Sequence, residues 1–273
     1  MAAKWEPKNK NILITGAASG LGAAYAEALL KEGAQNIAVL DIDVKTGEDF
    51  VSKLNETYNN KAIFIKCDVS KEEDIKNSFN IVLNKFKRID LLINNAGIMS
   101  DIESMWRLAC DVNWQGLVSF TMKAVRHMRK DEGGEGGTIV NISSTAGLCK
   151  YTFLPIYGGS KGAVLHFSQS LARGPFYDNT GIRVITLCPG PTATKLMQGL
   201  DNRIVETSSM NQIKSLSDVQ KIQSIPSAVA AMMKLLKEGD NGSVWLSAND
   251  KPVVELTEKI NKHLDELEKL TLA

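Results

Sequence analysis

A chain of 273 residues, 44% of them hydrophobic, is long enough to bury a substantial core, and 23% charged residues is an ordinary load for a globular protein. A formal charge of +1 provides no field that would draw nucleic acid or a membrane surface, so neither is expected as a partner. No segment is long and apolar enough for stable membrane insertion, and Cys67, Cys110, Cys149 and Cys188 are too scattered for a CxxC metal pair or a disulfide framework.

The polar stretch Met1 to Lys10, with Trp5 and Pro7, lacks the apolar run of a secretory signal, which with the free thiols points to a cytoplasmic protein. Asn11 to Thr15 is then a short apolar strand, Gly16 to Gly22 a glycine-rich turn, and Ala23 to Lys31 a helical stretch ending at Gly33. Ile37 to Leu40 is a second strand closed by Asp41, Thr46 to Tyr58 a helical pattern, and Ala62 to Lys66 a third strand before Asp68. Leu91 to Ile93, Thr138 to Ile142, Arg183 to Leu187 and Ser243 to Leu246 continue the alternation. Short buried-type strands alternating with helices predict an α/β fold: a single doubly wound Rossmann-type domain over residues 1–273, with a parallel sheet of about seven strands and helices on both faces.

No repeat or interdomain linker interrupts this pattern. Gly133-Gly134-Glu135-Gly136-Gly137 reads as a flexible connection, and residues 191–225, weak in periodicity, as a lid or binding loop. Near the C-terminus, between Glu255 and Leu272, Leu256, Ile260, His263, Leu267 and Leu270 recur at helical steps and predict an amphipathic helix. It packs on its own domain, on a neighbouring subunit or over a substrate cleft. His127, His166 and His263 have no partner at ligand spacing, so no metal is expected.

Thr15-Gly16-Ala17-Ala18-Ser19-Gly20-Leu21-Gly22 lies where the first strand meets the first helix, where backbone N–H groups and the helix dipole favour a pyrophosphate. The same run reads as a tight strand-to-helix turn. Asp41 follows at about the distance from which a carboxylate accepts bonds from adenosine ribose hydroxyls and repels a 2′-phosphate. Ile42 and Asp43 offer that phosphate no counter-charge, which favours NAD over NADP; otherwise Asp41 serves a turn. Tyr157 and Lys161, four residues apart, share one face of a helix. An ammonium beside a phenol favours the phenolate, drawing its pKa from about 10 towards neutrality, and such a tyrosine exchanges protons with an alcohol. Taken alone, the pair reads at least as well as a half-buried helix face.

Together and in this order, the glycine loop in TGxxxGxG form, Asp68-Val69, Asn94-Asn95-Ala96-Gly97, and Asn113, Ser144, Tyr157 and Lys161 resemble the short-chain dehydrogenase/reductase family from about Lys10 to Ala248. The family's serine lies 13 residues before its tyrosine, which selects Ser144 over Ser143, and Pro155 stands where a lysine partner of Tyr151 would be. The resemblance implies that Ser144 orients the substrate oxygen and Tyr157 transfers the proton. It also implies that Lys161 lowers the tyrosine pKa and holds the nicotinamide ribose, and that Asn113 supports a water-linked proton path. Cofactor contacts are implied for Gly16, Ser19, Gly20, Leu21 and Gly22 in the loop and for Asp41, Asp68 and Val69 at strand ends. Asn95, Ala96, Gly97, Pro189, Gly190 and Thr192 complete the set with Tyr157 and Lys161, and a homodimer or homotetramer is implied as well. Within the family, the nearer resemblance is to NAD-dependent 15-hydroxyprostaglandin dehydrogenases and insect alcohol dehydrogenase-like proteins, fading after Thr194.

If that layout holds, Met99, Leu148, Phe153, Leu154 and Met197 surround the reacting carbon with Ser144 and Tyr157. These side chains point to an apolar alcohol or ketone, lipid-like, isoprenoid, retinoid or steroid, with Lys150 and Lys195 as the charged exceptions. An NADH-dependent carbonyl reductase, or a binding module of the same fold without turnover, are the alternatives.

Overall fold

The computed structural model describes residues 5–205 and 221–272. The apolar runs become strands because side chains on both of their faces find cover. β1 (Asn11–Thr15), β2 (Asn36–Asp41), β3 (Ala62–Lys66), β4 (Leu91–Asn94), β5 (Gly137–Ile142), β6 (Ile182–Pro189) and β7 (Val244–Ser247) pair in parallel. β8 (Val254–Glu255) adds antiparallel to β7, giving an eight-stranded sheet of order β3-β2-β1-β4-β5-β6-β7-β8 among the described residues. The extra strand beyond the expected seven or so escapes the sequence pattern for a physical reason. It is two residues long with both side chains exposed, and only backbone pairing with Trp245 and Leu246 makes it a strand.

Period-two alternation divides the core between the sheet's faces. Ile12, Ile14, Ile37, Val39, Leu91, Ile93, Val140 and Ile142 turn to one face, where they meet α1 (Gly20–Lys31), α2 (Val44–Tyr58) and α8 (Ile225–Glu238). Leu13, Ala38, Leu40, Leu92 and Ile139 turn to the other, against α3 (Glu72–Phe86) and α5 (Leu117–Met128). Ile12, Leu13 and Ile14 are wholly buried, and each contributes about 1.5–3 kcal/mol of apolar transfer. The remaining helices are α4 (Trp106–Cys110), α6 (Pro155–Leu171), α7 (Phe176–Thr180) and α9 (Thr257–Leu272). No helix among the described residues is long and apolar enough to cross a membrane.

Two features of this frame position the site. Strand order reverses at β1, which has β2 on one side and β4 on the other, and ligands of doubly wound sheets bind in the crevice at that switch. Between α4 and α5 the helix widens into a π turn, Asp111–Gly116, that carries Asn113. Gly116 is needed there because a Cβ would lie 2.3 Å from the carbonyl oxygen of Val69, so the helix lies directly on the segment after β3.

Candidate active site

The C-terminal ends of β1, β2, β4, β5 and β6 open into a cleft of about 720 Å3. Gly16 takes φ +62° and approaches the neighbouring turn so closely that a Cβ would stand 2.7 Å from the Cα of Ala96. Asn95 fastens that turn to the loop: its Nδ2 donates to the carbonyls of Thr15 at 3.0 Å and Gly16 at 2.8 Å. Thr15 Oγ1 in return accepts from the N–H groups of Asn95 and Ala96. Ser19, at the cap of α1, makes no side-chain cap bond, and no acidic residue occupies the first turn, so the positive helix end faces an incoming anion without a competitor.

Gly16, Ser19, Gly20, Leu21, Asp41, Asp68, Val69, Asn95, Ala96 and Gly97 all line the cleft, as do Pro189, Gly190 and Thr192. Gly22 does not. A Cβ there would meet the Gly16 carbonyl at 2.4 Å and Asn95 Nδ2 at 2.6 Å, so its part is to let α1 close against the loop. Asp41 accepts the N–H of Ala18 at 3.0 Å on Oδ2 and that of Asp43 at 3.0 Å on Oδ1. A carboxylate has about four acceptor positions, which leaves two for a diol. This lining, with its uncapped helix end and a glycine cradle that side chains would fill, fits a dinucleotide.

Farther along the cleft, α6 brings in Tyr157 and Lys161, 7% and 4% exposed. Lys161 Nζ sits 5.9 Å from the centre of the Tyr157 ring and donates to the Ile142 carbonyl at 2.9 Å. The two serines separate cleanly. Ser144 lowers the Tyr157 pKa and its Oγ lies 3.4 Å from the Pro189 carbonyl, whereas Ser143 turns its hydroxyl to the Lys161 carbonyl at 2.8 Å. Burial, rather than Lys161, sets the direction at the phenol: it holds Tyr157 above its ordinary value, with Ser144 opposing. Burial also takes the Lys161 ammonium down to about 8.

Asn113 is wholly buried beneath this group and is absent from the cleft wall. Its Oδ1 accepts the Ile98 N–H at 2.7 Å, and its Nδ2 donates to the Ile98 carbonyl at 2.8 Å and to Ser160 Oγ at 3.2 Å. The side chain therefore fixes the Ile98-Met99 segment.

Met99, Phe153, Leu154 and Tyr157 come together in one apolar cluster with Ala146 and Ile204, flanked by Tyr151, Met197 and Leu200. The rings of Tyr151 and Phe153 stack at 5.5 Å. Leu148 is different: it ends the short turn Thr145–Gly147, lies half-buried and does not line the cleft. Lys195 reaches the cleft wall and Lys150 does not. Of the expected loop, residues 206–220 fall outside the described residues; its start is pinned by fully buried Gln223, which bonds Thr192 Oγ1 and the Ser247 carbonyl. Sequence reading misses Ala146, Ile204 and Asp101. Asp101 accepts the backbone N–H groups of Ile156 and Tyr157 across 55 and 56 residues, a separation that no local pattern reports.

The family described as short chain dehydrogenase matches residues 10–205 of this chain, the glycine loop and the Ser144, Tyr157 and Lys161 group included. The chain belongs to the short chain dehydrogenase family. Over 240 residues it is 34% identical to the rat (Rattus norvegicus) 15-hydroxyprostaglandin dehydrogenase [NAD(+)], covering 86% of this chain and 89% of the relative. It is 31% identical to alcohol dehydrogenase 1 of Ceratitis cosyra, covering 87% and 91% of the two chains. Among solved structures, NADPH-dependent 3-quinuclidinone reductase from Rhodotorula rubra superposes with a TM-score of 0.75 at 25% identity, covering 89% of this dehydrogenase and 91% of that chain.

Proposed function

We propose that this dehydrogenase uses NAD to oxidise a secondary alcohol carried on a largely apolar molecule. The observation that carries the reading is the gathering of Ser144, Tyr157 and Lys161 in a cleft that Met99, Phe153, Leu154, Met197 and Leu200 also line. When bound, NAD supplies the hydride acceptor. Ser144 donates a hydrogen bond to the substrate oxygen, and the Tyr157 phenolate takes the hydroxyl proton as the carbinol hydride departs, leaving a ketone. A phenol as buried as Tyr157 ionises only against a nearby positive charge, and the Lys161 ammonium, held by Ile142, is placed to provide it. Run in reverse, the same groups reduce a ketone.

Asp41 supports NAD over NADP. It lines the cleft with two acceptor positions free, between Leu40 and Ile42, where a 2′-phosphate would meet a like charge. An NADPH-dependent reductase shares the fold, so the fold alone does not select the cofactor. Free thiols at Cys67, Cys110, Cys149 and Cys188 support a reducing, cytoplasmic setting, and Leu264, Leu267 and Leu270 exposed along α9 support a homodimer or homotetramer.

The test of the substrate class is a series of secondary alcohols of increasing chain length, followed by NADH absorbance. Each added methylene is expected to raise kcat/KM about fourfold until the cleft fills, from about 0.8 kcal/mol per buried group. A flat series, or a preference for polyols, contradicts the apolar reading.

A further inference from the structure

The first turn of a helix presents N–H groups that have no partner within the helix. At the start of α6, Leu154 occupies the cap and makes no side-chain cap bond, and Pro155 has no N–H to offer. The next two N–H groups are taken by Asp101, whose Oδ2 lies 2.6 Å from the nitrogen of Ile156 and whose Oδ1 lies 2.8 Å from that of Tyr157. Asp101 is 4% exposed, and bonds from N–H groups to a carboxylate are stronger than those to a neutral acceptor. Its own N–H donates to the Arg203 carbonyl at 2.8 Å, and the following residue, Ile204, is buried in the cluster that holds Met99, Phe153, Leu154 and Tyr157.

We propose that Asp101 is a positioning residue for the reaction: its carboxylate caps the catalytic helix at Tyr157 while its backbone holds the segment that places Ile204 in the apolar cluster with Tyr157. The inference rests on Tyr157 being the proton-transfer group. A carboxylate gripping the Tyr157 backbone nitrogen fixes where the phenol stands relative to Ser144, which comes from a different strand end. Displacements of about 1 Å at a reacting group cost up to about a hundredfold in rate.

The test uses Asp101→Asn and Asp101→Ala in the full chain, with an apolar secondary alcohol and NAD at saturation and with NADH binding followed by fluorescence. Asparagine keeps one acceptor but turns an NH2 towards the second N–H, so kcat should fall about tenfold; alanine loses both acceptors and should fall about a hundredfold. NADH should still bind one site per chain with Kd within about threefold, since the loop and Asp41 are untouched. The apparent pKa governing kcat should rise in both variants as the phenol moves away from Ser144, which lowers its pKa. A purely fold-supporting residue would instead lower the fraction of chains that bind NADH and leave the pH profile in place. Wild-type kcat per NADH site with an unchanged pH profile in Asp101→Ala overturns the proposal. Tyr157→Phe runs beside it: an inactive Tyr157→Phe with a fully active Asp101→Ala removes the positioning role alone. An active Tyr157→Phe removes the reading of the site and the proposal with it.

Discussion

Lys161 carries its charge in a place that water barely reaches, and the consequence is measurable. Burial lowers its ammonium from an ordinary 10.5 to about 8, so the unfolded chain holds this proton more tightly than the folded one. The folded state therefore bears a penalty that is full below pH 8 and is relieved as pH rises towards 10.5, on the order of 3 kcal/mol in all. Lys161→Met lacks that penalty, although it strands the Ile142 carbonyl by an amount that does not vary with pH. Urea unfolding without cofactor should find wild type gaining on the variant by up to about 3 kcal/mol between pH 8 and 10.5, and a constant gap would contradict the assignment. Asp41 gives the second expectation at this scale. Wild type should favour NAD over NADP by at least about tenfold in kcat/KM, about 1.4 kcal/mol, and Asp41→Ser should narrow the ratio; a wild-type preference for NADP would end this argument. Ser144, Tyr157 and Lys161 were legible because their spacing is local and chemically particular. Asp101 and Ile204 were not, because they reach Tyr157 only through the fold. Leu148, nine residues from Tyr157 along the chain, ends the Thr145–Gly147 turn half-buried and is absent from the cleft lining, a placement that its spacing does not report.

At the scale of elements, β1, the glycine loop and α1 act as one unit whose dimensions depend on missing side chains. Gly22→Ala puts a methyl 2.4 Å from a backbone oxygen that cannot yield without moving the loop. NADH affinity should drop by an order of magnitude or more, about 1.4 kcal/mol per tenfold, while α6 chemistry on bound cofactor is slowed far less; unchanged Kd by fluorescence titration would show that the loop does not cradle the cofactor. The strands from β1 to β7 were readable because each is an apolar run covered on both faces. Edge pairing alone creates β8, so nothing in the side chains of Val254 and Glu255 announces it. The C-terminal helix was legible from its period, but its partner was not. Leu267 and Leu270 remain 59% and 77% exposed, and among the described residues none of α9 lines the cleft, so the cover we propose for these side chains is a neighbouring subunit.

For the molecule as a whole, that reading predicts an assembly larger than one chain. Leu264→Ser, Leu267→Ser and Leu270→Ser combined should reduce the mass found by light scattering while keeping the thermal transition of the folded chain, because these leucines are not part of its core. An unchanged mass would assign α9 no part in assembly. As the chemistry of the whole chain, we propose that the C-terminal ends of the strands gather a dinucleotide cradle and a buried Ser144, Tyr157 and Lys161 group so that a hydride and a proton leave an apolar alcohol together. The measurement that bears on it most directly is turnover of a secondary alcohol by Tyr157→Phe under saturating NAD, with NADH binding measured on the same sample. Loss of the hydroxyl leaves the ring and its apolar contacts in place, so kcat should fall by at least about a thousandfold, roughly 4 kcal/mol, with NADH Kd nearly unchanged. Near-normal turnover in that variant would contradict the account.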